Sequence, residues 1–157
     1  MTKQEINVYG MKISQASRTE LVVIMYDIAI NYLDDAIKFH NAGDTDDYRK
    51  SVKNAKNFIN ELSSILDMKY KISSDLYRIY SFMNRALVHA EITEDVSEID
   101  RIKGMLIRLK ESFEKVSESD DSGPVMENAQ QVYAGLTYSK SSLNEDVYND
   151  GKRGFTV

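Results

Sequence analysis

Two histidines, His40 and His89, and two adjacent carboxylate pairs, Asp34-Asp35 and Asp46-Asp47, are the residues whose types could do chemistry. In a helical bundle a di-metal centre needs glutamate-x-x-histidine pairs that project inward. Ile37 stands three residues before His40 and Ala86 three before His89, so neither pair exists. Adjacent aspartates on a helix point to different faces, which suits solvation better than shared acid–base work. The chain has no cysteine, which excludes disulfides, thiolate ligands and cysteine nucleophiles. It also lacks a glycine-rich phosphate loop and a nucleophile elbow. The expectation is a protein that is not an enzyme and holds no metal or cofactor.

Composition narrows the class further. Twenty basic against twenty-five acidic residues give a net charge of −5, which argues against a nucleic-acid partner. The nearly apolar run Leu21 to Ile30 is interrupted by Asp27 and falls far short of a membrane span. Nothing near Met1 resembles the apolar core of a signal peptide. These features predict a soluble, cytoplasmic protein with no membrane contact. One proline and seven glycines are too few to punctuate a sandwich or barrel, so the chain reads as all-α.

Four helical segments emerge. Ser17 and Glu20 form a capping box that opens a helix running to about Ala42, with Gly43 fit for the left-handed position beyond its end. Asp44 can cap the next, which carries Tyr48, Val52, Ala55, Phe58, Ile59, Leu62, Ile65 and Leu66 at helical spacing. A polar connection, Met68 to Ile72, leads to a third helix opened by Ser73 or Ser74. Thr93 or Asp95 starts a fourth, lined by Ile99, Ile102, Leu106, Leu109 and Phe113. Short connections force antiparallel neighbours, hence an up-down four-helix bundle over residues 17–116. Residues 1–16 show no clear period and read as an N-terminal arm. Residues 117–157 read as an acidic linker, a short helix after Pro124 and a mobile tail.

The first long helix is unusual on a helical wheel. Leu21, Met25, Ile28, Tyr32 and Phe39 form one apolar stripe; Val23, Tyr26, Ile30, Leu33 and Ile37 form a second. Together they cover roughly 260° of its circumference, more than two bundle neighbours ordinarily bury. Soluble proteins rarely leave so much apolar surface bare. Three covers compete: other parts of the same chain, a partner helix in a groove, or a second copy. On the third helix Leu76 and Tyr80 share a face, whereas Tyr77 sits at the edge of the apolar arc, where tyrosine suits an interface. Tyr9 and Ile13 lie four apart in the arm, so one helical turn would set both against a neighbouring groove.

The order Tyr9, Ala16-Ser17, Leu21, Met25-Tyr26-Asp27 and Ala29 resembles the opening of the flagellar secretion chaperones of the FliS family. Residues 55–62 resemble that family's second long helix. The series Leu76-Tyr77, Ile79-Tyr80, Phe82-Met83, Leu87, Ala90 and Asp95 resembles its most recognisable stretch. The resemblance spans about residues 9–116. Arg18 replaces a usual proline, Ile28 a frequent glycine and Glu91 a common asparagine.

The resemblance implies a cytoplasmic export chaperone. It implies one-to-one binding of the C-terminal segment of flagellin in apolar grooves, prevention of premature polymerisation, and delivery to the export gate of the flagellar type III apparatus. Tyr9 is implied in docking at that gate. Partner contacts are expected from Tyr9, Ile13, Val23, Tyr26, Ile30, Leu33, Ile37 and Tyr77, with a weak homodimer when the chaperone is empty. The competing expectation is a structural bundle protein that self-associates through the surplus stripe.

Overall fold

Helix caps set most of the element boundaries. In the computed structural model, which describes residues 1–126, Ser17 accepts from the Glu20 amide while Glu20 reaches back to the Ser17 amide. That box opens α2, Arg18–Asn41, and Gly43 follows it at φ 74°. Asp44 accepts from the Asp47 amide at the start of α3, Thr45–Ser64. Asp95 accepts from the Ser97 and Glu98 amides at the start of α5, Val96–Ser117. Each of these side chains satisfies an amide that has no partner inside its helix.

Two elements depart from the sequence expectation. α4, Lys71–Thr93, begins earlier than Ser73, which is buried within its first turn. Its N-cap, Tyr70, makes no side-chain cap bond. The segment read as an arm without a period is α1, Lys3–Gln15, opened by a capping box between Thr2 and Glu5. Of the expected helix after Pro124 only Val125 and Met126 fall among the described residues, and the expected mobile tail lies outside them.

All five described helices are α-helices, and no strand occurs among the described residues. α2 packs on α3 and α5, and α4 packs on the same two, so the four longer helices adjoin in the cyclic order α2, α3, α4, α5. α1 lies against α2. The principal core takes Tyr26 and Leu33 from α2, Tyr48, Val52, Ile59 and Leu62 from α3, Tyr80, Met83 and Leu87 from α4, and Ile99, Ile102 and Leu106 from α5. All are essentially inaccessible to solvent. Its buried hydroxyls are satisfied: Tyr26 and Tyr80 bond to each other, and Tyr48 donates to the Ala90 carbonyl at 2.7 Å. Glu94 closes α4 in the left-handed region at φ 57° and reaches Arg49 on α3 at 3.5 Å.

Candidate partner-binding site

The surplus apolar surface of α2 is divided among three neighbours. Tyr26, Ala29, Leu33 and Ala36 face the principal core. Val22, Met25, Ile30, Ile37 and Phe39 pack at its margin, partly buried. The outward face carries Ile24 and Ile28, which with Ala16 form a second, smaller cluster. Tyr9 and Ile13 of α1 cover that cluster, and Met1, Leu21, Tyr32 and Phe58 border it. Tyr32 and Phe58 stack at 6.0 Å between centroids and tie this cluster to α3.

α1 is held mainly by its inner side. Asn31 Nδ2 donates to the Tyr9 hydroxyl at 2.5 Å, and Lys12 Nζ lies 5.5 Å from the Tyr9 ring centroid. The Met1 ammonium pairs with Asp35. Burial pushes the Tyr9 phenol up, and the nearby Asp27 charge adds to the shift. On its outer side α1 leaves Ile6, Val8 and Met11 more than half exposed. α1 thus carries apolar residues on both its inner and its outer side.

Beside α1 runs a polar groove of about 470 Å³, walled by Lys12, Gln15, Glu20, Val23, Asp27 and Glu114. Its charges are internally matched. Lys110 of α5 reaches Asp27 at 2.5 Å and Glu114 at 3.5 Å, and the Asp27 hydrogen bond is the main influence raising the Lys110 pKa. Farther along the same α2–α5 seam Lys103 meets Asp34 and Asp100, each at 3.1 Å.

A second apolar surface lies at the end of the helices where α3 turns into α4. A cavity of about 250 Å³ opens there among Val22, Leu62, Leu66, Leu76, Tyr80 and Phe113. Ile65, Tyr70 and Ile72 line it and Met68 lies in the same connection, each more than half exposed. Reading residues 68–72 as a polar connection misses this surface. The apolar residues recur at 65, 66, 68, 70 and 72, and that density in a connection was the available clue.

The proposed contact residues therefore scatter. Tyr9 and Ile13 come together over Ile24 and Ile28. Val23 lines the polar groove. Ile30 and Ile37 are half-buried at the core margin. Tyr26 and Leu33 are fully interior, with Tyr26 against Tyr80 and Phe113, so they offer nothing to a partner while the helices stay packed. The second stripe thus meets three different environments on one helix. Tyr77 is half-exposed on α4 and belongs to neither cluster. No cluster of three or more metal-ligating side chains occurs among the described residues, and no helix among them is long and apolar enough to cross a membrane.

Comparison with known proteins meets this geometry. Residues 3–120 match the family described as flagellar protein FliS. The chain is similar to the flagellar secretion chaperone FliS of Salmonella typhimurium, 28% identical over 108 residues that span 67% of this chain and 80% of that protein. It is also similar to the flagellar secretion chaperone FliS of Bacillus subtilis, 21% identical over 108 residues that span 69% of this chain and 81% of that protein. The match extends from α1 through the end of α5, and the chain belongs to the FliS family of flagellar secretion chaperones.

Proposed function

We propose that this protein is a cytoplasmic export chaperone that binds the C-terminal segment of flagellin one-to-one, keeps it from polymerising early and delivers it to the flagellar export gate. One observation carries the reading: the outward apolar face of α2, Ile24 and Ile28, is covered by a short helix with exposed apolar residues of its own. A segment with matching apolar spacing can take the place of α1 on that face. The exposed apolar surface at Ile65, Met68, Tyr70 and Ile72 offers a second seat for an elongated ligand.

In this reading residues 17–116 form an antiparallel up-down four-helix bundle, residues 1–16 are a displaceable cover and residues 117–157 are an appendage. Tyr9 and Ile13 leave the α2 face on loading, which frees Tyr9 for the export gate. Val23, Ile30, Ile37 and Tyr77 form the rim of the bound segment. Tyr26 and Leu33 support it from the interior.

Calorimetric titration with a flagellin C-terminal peptide, paired with light scattering on a sizing column, tests this. A one-to-one complex is expected. Absence of binding together with a stable dimer would favour the second reading, a self-associating structural protein, to which the exposed Ile65–Ile72 surface is also suited.

A further inference from the structure

Arginine is unevenly placed in this chain. Of the six arginines among the described residues, four lie exposed on α4 and α5: Arg78, Arg85, Arg101 and Arg108. Each helix carries its two arginines seven residues apart, nearly two full turns, so both share a face. The segments they bound, 78–85 and 101–108, contain no carboxylate, in a chain of net charge −5. Two contacts set the register between the helices. His89 Nδ1 stands 2.7 Å from a Glu98 carboxylate oxygen, and the Arg101 guanidinium lies 5.6 Å from the Phe82 ring centroid. Numbers rise along one helix as they fall along the other, which sets Arg85 near the level of Arg101 and Arg78 near that of Arg108. The four stand at the corners of a rectangle about 10 Å long, seven residues at 1.5 Å each.

Phe82 and Gly104 lie between the corners. Phe82 falls four residues after Arg78 and three before Arg85; Gly104 falls three after Arg101 and four before Arg108. The Phe82 side chain is 40% exposed. Glycine inside a helix is destabilising relative to alanine, and a Cβ built at Gly104 meets nothing within 4 Å. Packing within the described chain gives no reason for that glycine, whereas close approach of another backbone would. Glu98 is already engaged by Arg101 at 3.0 Å and by His89. Asp75 and Glu111 lie in sequence beyond Arg78 and Arg108 and bridge neither. Arg78, Arg85 and Arg108 form no ion pair among the described residues, where the paired arginines are Arg49 and Arg101. None of these four arginines, nor Phe82, belongs to a core cluster or lines the cavity where α3 turns into α4.

We propose that the α4–α5 seam framed by Arg78, Arg85, Arg101 and Arg108 docks an acidic amphipathic helix of a second protein partner, distinct from the segment that takes the α2 face. The partner's apolar stripe seats on Phe82 and crosses close over Gly104. Carboxylates flanking that stripe, seven residues apart on each side, meet the four guanidinium groups, whose planar forks suit bidentate pairing. An aromatic side chain ringed by arginines has the composition of an interface centre.

Titration of the full-length protein with a labelled peptide tests the site. The probe has about three heptads, with leucine at a and d and glutamate at e and g, a pattern whose like charges discourage self-pairing. It should bind with an affinity that falls as salt rises, and its counterpart with lysine at e and g should not bind. Arg85→Gln and Arg108→Gln should each weaken the acidic peptide by about fivefold, and Phe82→Ala by about tenfold. Gly104→Gln should move two readouts in opposite directions, raising the melting temperature while weakening the peptide by about tenfold. No binding of the acidic peptide, equal binding of the lysine peptide, or an affinity indifferent to these variants overturns the site. Displacement of the acidic peptide by the flagellin C-terminal peptide overturns a separate partner. Tighter, arginine-dependent binding of a single-stranded DNA oligonucleotide or of anionic phospholipid vesicles would overturn the helical occupant.

Discussion

The hydroxyls of Tyr26 and Tyr80 bond to each other in the interior, one carried by α2 and the other by α4. These helices sit across from one another in the cyclic order, so the pair bridges elements that are not neighbours in it. Tyr80→Phe removes one hydroxyl and strands the other, at a cost of about 1–3 kcal/mol. Tyr80→Ala also opens a cavity and should cost about 3–5 kcal/mol. Tyr77→Ala, half-exposed one turn earlier, should stay within about 1 kcal/mol and instead weaken the flagellin peptide. Urea denaturation ranks the three; a Tyr77 variant less stable than the Tyr80 variants would invert the assignment of this helix face.

Alkaline pH should destabilise the protein. Burial is the main cause that pushes the Tyr48 phenol up to about 12, and it raises Tyr26 and Tyr80 as well. A phenol whose folded pKa exceeds its unfolded value of about 10 contributes fully below pH 10 and loses that contribution as pH rises toward the folded value. Lys110, raised mainly by Asp27, has the same sign. Stability should thus decline between about pH 10 and 12, and Tyr48→Phe should make the decline shallower. A flat profile through that range would contradict the buried phenols.

Two cap substitutions separate side-chain from backbone effects. Ser17→Ala removes the acceptor that Glu20 uses and should cost about 0.5–2 kcal/mol. Gly43→Ala meets no atom within 4 Å, so its penalty of about 1–2 kcal/mol is purely the left-handed backbone. A thermal melt of each variant gives the numbers, and a Gly43→Ala protein as stable as the parent would show that the turn relaxes out of φ 74°.

Removing residues 1–15 should uncover Ile24 and Ile28. Apolar-dye binding and self-association should rise, and helical content should fall by the 13 residues of α1 while α2 to α5 remain. Ile13→Asp should produce the dye response with α1 still attached, because a carboxylate placed against Ile24 and Ile28 has no partner there. If Tyr9 amide exchange in the intact protein matches that of an unfolded peptide, α1 is no cover at all.

The long helices were legible because their ends are written in single residues: Ser17, Gly43, Asp44 and Asp95 each sit where a cap requires them. The start of α4 was not, since Tyr70 caps nothing and tertiary packing buries Ser73 inside the helix. α1 was missed although Thr2 and Glu5 hold the same box as Ser17 and Glu20; its apolar residues fall on both sides and blur the period. On α2 the wheel revealed too much apolar surface but divided it wrongly. The core-facing row is Tyr26, Ala29, Leu33 and Ala36, spaced three, four, three. The two alanines belong to that row, and ranking residues by size passes over them. Which neighbour covers the remaining faces depends on how α1, α3 and α5 pack, and no single helix encodes that.

A single residue, Ala16, separates α1 from the Ser17 cap of α2, so a displaced α1 stays within about 20 Å of the face it has left, the length of its own 13 residues. A tether that short gives it an effective concentration in the millimolar range. Any segment seated on Ile24 and Ile28 therefore faces a rival that cannot diffuse away. Its apparent affinity is scaled down by the fraction of molecules already open. Once it departs, the greasy face is resealed from within the same molecule, with no interval in which two emptied chains could find each other. A cover fixed in this way weakens retention and hastens hand-off, which suits a carrier whose cargo must leave on arrival.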